Sequence, residues 1–148
     1  MLDKPSIRKA TAGDATALKA CMESAYAAYQ ERMGGARLPP MDVDYSSEIE
    51  NYPCWVVESA GEILGGLIMT FAVDRAQIAN IAVAPRAQGQ GIGGKLMKFA
   101  EAEAGKRGYS HIHLATHALL KENISLYRHL GWEESGKDLN KITMKKKI

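Results

Sequence analysis

The sequence has little cysteine, few aromatic residues, no long apolar run and no dominant sign of charge. Its two cysteines, Cys21 and Cys54, are too few for a disulfide framework or a cysteine-based metal site. The histidines His111, His113, His117 and His129 are not spaced as metal ligands, so no metal is expected. No stretch approaches the length of a membrane span, and Met1-Leu2-Asp3-Lys4-Pro5 carries no apolar signal-peptide core. The expectation is a cytoplasmic protein with no membrane partner. A net charge of +2, from 19 basic and 17 acidic residues, gives no bulk case for nucleic-acid binding.

What is present fits a globular chain. With 148 residues, 46% of them hydrophobic and 24% charged, the sequence is expected to form one domain over residues 1–148. Charge is unevenly distributed. From Leu38 to Asp74 there is no Lys or Arg, while Asp42, Asp44, Glu48, Glu50, Glu58, Glu62 and Asp74 are acidic. The C-terminal part reverses this with Lys137, Lys141, Lys145, Lys146 and Lys147. The acidic stretch reads either as a surface that favours cations or as a solvated face.

Residues 6–10 read as a short strand. Thr11-Ala12-Gly13-Asp14 has capping-box form, and the stripe Leu18, Cys21/Met22, Ala25, Ala28/Tyr29 predicts a helix over residues 14–33 that Gly34-Gly35 ends. Pro39-Pro40 marks a loop, and residues 45–51 predict a short helical turn. Three strands follow, over residues 54–58, 63–73 and 77–83, joined by turns short enough to make them antiparallel neighbours. Gly65-Gly66 inside the second suggests a bulge or bend. The pattern then changes to a helix over residues 91–107, a strand over 111–115 that can run parallel to the 77–83 strand, a helix over 121–130, and closing strands at 132–134 and 141–145. The fold class is α/β (α+β), a mixed sheet with an antiparallel first half and a helix crossover in the second.

The stretch Val83-Ala84-Pro85-Arg86-Ala87-Gln88-Gly89-Gln90-Gly91-Ile92-Gly93-Gly94-Lys95-Leu96 carries the chemistry. Glycines let the backbone approach a ligand and adopt positive φ. Successive free N–H groups form an anion nest, and the helix that opens here adds its unsatisfied amides and the positive end of its dipole. Arg86, Lys95 and Lys98 place cations nearby, so a diphosphate is the natural guest. Three patterns overlap. Gly89-x-Gly91-x-x-Gly94 matches a dinucleotide fingerprint, but the next strand ends at His113-Leu114-Ala115-Thr116 with no acid for a ribose. Gly89-x-x-x-x-Gly94-Lys95 matches a P-loop until Leu96 stands where a magnesium-holding hydroxyl is needed.

The third pattern, Arg86-x-x-Gly89-x-Gly91, resembles the acyl-CoA loop of the GNAT superfamily of N-acetyltransferases. A second segment, Asn123-Ile124-Ser125-Leu126-Tyr127-Arg128-His129-Leu130-Gly131-Trp132, resembles the signature after that family's fifth strand. Taken alone, Tyr127 fits a packing tyrosine and Asn123 a helix cap. Two motifs in the right order and separation support each other. The resemblance implies acetyl-CoA as cofactor, and a central parallel strand pair that splays so that the pantetheine arm fills the gap. It implies cofactor contacts from Ile81, Ala82, Val83, Arg86, Gln88, Gly89, Gln90, Gly91, Ile92, Gly93, Gly94, Lys95, Asn123 and Tyr127. Tyr127 would be the catalytic acid to the CoA thiolate, since a phenol near 10 and a thiol near 8.5 are almost matched. A backbone N–H among Ile81, Ala82 and Val83 would stabilise the oxyanion.

On the acceptor side, Tyr29, Arg32, Met41, Asp44, Tyr45, Asn80 and Thr116 are the candidates. Arg32, Met41, Asp44, Tyr45 and Thr116 belong to a pattern shared with family members of unassigned substrate. The acceptor expected is a primary amine of a small molecule or peptide, with cationic acceptors favoured by the acidic stretch. The base is missing from its usual place: Gln77 and Asn80 occupy a strand where many relatives carry Glu. Glu23, Asp44 or Glu122 acting through water, or no base at all, remain open. The competing function is a non-catalytic acyl-CoA sensor or interaction module. A homodimer is implied only by family analogy.

Overall fold

The computed structural model describes residues 4–148. Its strands form a seven-stranded sheet in the order β1-β2-β3-β4-β5-β7-β6. The strands are β1 (Ser6–Lys9), β2 (Cys54–Ser59), β3 (Glu62–Phe71), β4 (Ala76–Val83), β5 (His111–His117), β6 (Glu133–Asp138) and β7 (Lys141–Lys147). The helices are α1 (Ala15–Arg32), α2 (Tyr45–Asn51), α3 (Ile92–Lys106) and α4 (Lys121–His129). β1 to β4 pair antiparallel, β4 and β5 pair parallel, and β7 closes antiparallel on β5 and β6. This is the mixed sheet expected from the sequence, with α3 as the crossover between the parallel pair. No helix among the described residues is long and apolar enough to cross a membrane.

The sheet is covered on both faces. One cluster joins α3 residues Ile92, Leu96, Met97, Ala100 and Ala104 to Leu67, Met69, Ile78, Ile112 and Leu114. The other joins α1 residues Leu18, Cys21, Met22 and Ala25 to Tyr45, Val56 and Ile68. The i, i+3, i+4, i+7 stripe on α1 is therefore its buried face, but Ala28 is exposed and the stripe ends at Ala25. Both thiols are buried and unpaired. Burial pushes Cys21 up and Cys54 up to about 12, which removes both as ready nucleophiles.

The bulge expected at Gly65-Gly66 is present one residue earlier. The register slips between Val57 and Glu58, which leaves Leu64 as the extra residue on β3. A Cβ on Gly65 would lie 2.9 Å from the Ala82 carbonyl oxygen, and one on Gly66 would lie 2.5 Å from Leu18 Cδ1. Gly65 is thus required by the β4 backbone beside the bulge, while a Cβ at Gly66 would press on the ends of the Leu18 and Met22 side chains. β6 and β7 are longer than the sequence implied. β6 reads Glu-Glu-Ser-Gly-Lys-Asp and lies on the sheet edge, so it lacks the apolar alternation by which a strand is recognised.

Candidate active site

The site begins where the sheet comes apart. β4 and β5 pair only over Ala76, Gln77 and Ile78, opposite Ile112, His113 and Leu114. β4 runs on to Val83 beside β3, and β5 runs on to His117 beside β7. A second slip, between Ile68 and Met69, leaves Ala79 as an extra residue on β4 at the point of divergence. Past it, one edge of β4 has no strand beside it and faces a groove of about 1060 Å³. Ile81, Ala82 and Val83 line one wall, and Ala115 and Thr116 line the other. Backbone amides and carbonyls on such an edge need partners, and an extended amide-bearing chain supplies them.

The groove runs into the glycine loop. Val83 leads into a 3-10 turn at Pro85–Ala87, and Gly91 is the N-cap of α3 in the left-handed conformation, φ 80°. Gly89 shares this geometry at φ 82°, and at both positions the space where a Cβ would stand is open. The first bond into α3 is from Lys95 N–H to Gly91 O, which leaves the amides of Ile92, Gly93 and Gly94 without helical acceptors. Gln88, Gly89, Gly91, Ile92, Gly93 and Gly94 line the groove. Arg86, Gln90 and Lys95 lie outside that lining. The Arg86 guanidinium instead donates to Ile63 O at 3.4 Å and faces Glu62 at 3.7 Å. These open, donor-rich positions fit a diphosphate, and the free strand edge fits a pantetheine arm. The residues present therefore suit an acyl-CoA.

α4 brings the second motif to the same groove. Asn123 and Tyr127, one turn apart, both line it. Asn123 Oδ1 accepts from the Tyr29 hydroxyl at 3.4 Å. Beside this contact Arg32 Nη1 meets Glu122 Oε1 at 2.5 Å, with the guanidinium 5.5 Å from the Tyr29 ring centre. α1 and α4 are thus tied across the groove. Burial, with Tyr29 nearby, pushes the Tyr127 phenol up to about 12.

The acceptor-side candidates separate into two groups. Tyr29, Asn80 and Thr116 line the groove, whereas Arg32, Met41, Asp44 and Tyr45 do not. Met41 and Tyr45 are buried. The Tyr45 hydroxyl donates to Pro40 O at 2.5 Å and accepts from Asn80 Nδ2 at 3.2 Å, so it fixes the asparagine from behind. Asp44 caps α2 by accepting from Ser46 N and Ser47 N. The acidic stretch contributes no carboxylate to the groove. Asp42 is held by Arg37, Glu58 by Arg8, and Glu62 faces Arg86. Only its apolar start, Leu38, Pro39 and Pro40, reaches the lining.

Of the candidate bases, Glu23 and Asp44 stand outside the groove, and Glu122 lines it while paired to Arg32. The Glu122 carboxyl is held below its usual range by a hydrogen bond from its own backbone amide and by Arg32. His117 also lines the groove, and its Nδ1 accepts from Leu119 N at 3.0 Å. In the neutral ring that bond places the proton on Nε2. Tyr26, His117, Asp138, Leu139 and Lys141 are lining residues that the sequence motifs did not single out. Tyr26 was findable, since it sits three residues before Tyr29 on one helix face; its hydroxyl lies 3.2 Å from Ile81 O. Nothing local marks the β6–β7 hairpin tip, which reaches the groove only through the sheet order.

Comparison with known proteins agrees with this geometry. The sequence pattern of the Acetyltransferase (GNAT) family matches residues 19–132. An uncharacterized N-acetyltransferase of Escherichia coli (strain K12), YjgM, is 36% identical over 83 residues, covering 53% of this chain and 50% of the relative. The match thus spans about half the relative's length. Among solved structures, the PaiA N-acetyltransferase of Thermoplasma acidophilum, in complex with coenzyme A, superposes with a TM-score of 0.85 at 17% identity. It covers 98% of this chain and 99% of that one. The ribosomal-protein-S18-alanine N-acetyltransferase of Escherichia coli superposes with a TM-score of 0.74 at 23% identity, covering 98% and 94%. At these identities the structural likeness is one of fold. The family match covers most of the chain, and the chain belongs to the GNAT acetyltransferase family, whose usual cosubstrate is acetyl-CoA.

Proposed function

We propose that the protein transfers an acetyl group from acetyl-CoA to a primary amine of a small molecule or peptide, by direct attack in a ternary complex. The observation that carries this is the single groove in which the free edge of β4, the open amides at the start of α3 and the Tyr127 hydroxyl meet. Acetyl-CoA supplies the activated acyl group as a thioester. The chain's residues bind and orient it. The amides of residues 92–94 would hold the diphosphate, the edge of residues 79–83 the pantetheine, and Asn123 the arm near its end. An amide of Ile81, Ala82 or Val83 would donate to the carbonyl oxygen as charge grows there. The amine forms the new C–N bond, the C–S bond breaks, and the amine gives its extra proton to water. The departing thiolate takes a proton from Tyr127, which regains one from solvent.

The raised phenol is consistent with this role. In water a phenol near 10 and a thiol near 8.5 differ by about 1.5 units. The desolvation that lifts Tyr127 to about 12 acts also on a thiolate formed beside it, so the two remain close. At neutral pH Tyr127 is fully protonated and ready to donate. No cysteine that could carry an acyl group lines the groove, since Cys21 and Cys54 are both outside it.

The test is thiol release from acetyl-CoA over a panel of amines, with Tyr127→Phe as the key variant. Turnover should fall at least tenfold, with calorimetric acetyl-CoA affinity changed less than about twofold. Tight acetyl-CoA binding without CoA release for any amine would favour the non-catalytic sensor, a reading to which the lack of a carboxylate on β4 lends weight.

A further inference from the structure

We propose that the acceptor is a primary amine on an apolar, uncharged body, and that Leu139 is the residue that selects it. This rests on the acetyltransferase reading above and names the acceptor class of the same groove.

The first observation is the strain at Leu139. Among the described residues only Ala60 and Leu139 are non-glycine positions with positive φ, at 51° and 54°. Ala60 is small and precedes Gly61, φ 79°, in a tight hairpin that requires such angles. Leu139 is a bulky residue at the tip of the β6–β7 hairpin, where glycine or asparagine would serve better. Its side chain is also 87% exposed. Backbone strain and a solvated isobutyl group fall on one residue, and that residue lines the groove. The tip is held in place, since Ala118 N donates to Asn140 O at 2.7 Å at the end of β5. Leu38, Pro39 and Pro40 of the α1–α2 connection and Leu120 before α4 add further apolar lining.

The second observation is the charge inventory. The carboxylates lining the groove are Glu122 and Asp138. Glu122 is bound to Arg32, and Asp138 stands across the strand pair from Lys141. The acids of residues 42–74 are directed elsewhere. Glu122, being paired, offers little to a polyamine or a basic peptide, and Asp138 at the hairpin tip is the lining carboxylate without an ion pair among the described residues, whereas an apolar body would cover Leu139 and exclude water from it. The acids of residues 42–74, which suggested cationic acceptors, therefore do not reach the groove.

The experiment measures kcat/KM by thiol release for phenethylamine, spermidine, glucosamine and an Nα-blocked lysine, on the wild type, Leu139→Asn and Leu139→Gly. Phenethylamine should exceed the other three by about tenfold or more. Both variants should raise its KM about tenfold and leave the KM for acetyl-CoA unchanged. Leu139→Asn, which tolerates the left-handed conformation, should also melt about 2–6 °C higher. Spermidine, glucosamine or blocked lysine turned over as well as phenethylamine would overturn the acceptor class and leave the acetyltransferase reading intact. An unchanged phenethylamine KM in both variants would remove Leu139 from recognition. Acetyl-CoA binding without turnover of any amine would overturn both readings together.

Discussion

At the scale of single residues, Asp14 shows how one carboxylate can organise a fold entry. It is 8% exposed and accepts two hydrogen bonds from Arg8, at 2.8 and 2.9 Å, and one from Thr11 N at 2.7 Å. Arg8 also binds Glu58 on β2 at 2.6 Å, so the cluster joins β1, β2 and the start of α1. The Arg8 guanidinium holds the Asp14 carboxyl down to about 2, from an ordinary 3.8. Because the folded value lies below the unfolded one, this contribution is complete above about pH 4 and is lost as pH falls toward 2. Its size is about 2 kcal/mol. Asp14→Asn should lower Tm by about 4–8 °C at pH 6 and flatten the loss between about pH 4 and 2. Parallel melts of variant and wild type across that range decide it; equal acid slopes would place the acid sensitivity elsewhere. The residue pair was legible in part: the capping-box spacing named Asp14, but Arg8 carried no signal of its own.

At the scale of elements, the glycines of β3 govern how closely the layers approach the site. Gly65 sits on the α3 face, where an added Cβ would meet Ala82 O at 2.9 Å, Leu96 Cδ1 at 3.5 Å and Val57 Cγ2 at 3.6 Å. The first of these is backbone on β4, the groove wall, and it cannot rotate away. Gly65→Ala should destabilise by about 1–3 kcal/mol and weaken acetyl-CoA binding through the displaced strand. Denaturant melts and calorimetry read both effects, and undiminished affinity in a destabilised variant would show that β3 absorbs the shift. The Gly65-Gly66 pair was visible in the sequence, but the packing that demands it was not, because Leu18 and Ala82 are distant in the chain. α3 was legible throughout, since the glycine loop fixes its start and Ile92, Leu96, Ala100 and Ala104 repeat at helical spacing. α4 was legible through its motif alone. It buries no residue completely and is held by Ile124, Tyr127 and Leu130 and by its ties to Tyr29 and Arg32. The β6–β7 hairpin was the least legible element, because edge strands rich in charge have no apolar period to read.

At the scale of the whole molecule, the sheet's divergence and its charge pattern set the pH response. β4 carries no carboxylate and Glu122 is held by Arg32, so proton removal from the amine is left to solvent. Tyr127 remains protonated up to about pH 12 and imposes no alkaline limb in the usual range. The acceptor kcat/KM should therefore rise tenfold per pH unit and bend at the amine's own pKa rather than at a value belonging to the protein. The usable range ends near pH 10. Burial raises the Tyr26 and Tyr45 phenols in the folded state, so unfolded phenols ionise first and stability declines above that point. Two acceptors with the same apolar body but amine pKa values separated by fluorination distinguish the cases. A bend that moves with the amine supports solvent as the proton sink. A bend fixed near neutrality for both amines would reveal a protein base and direct attention to the two carboxylates that line the groove, Asp138 and Glu122, the latter released by opening its Arg32 pair.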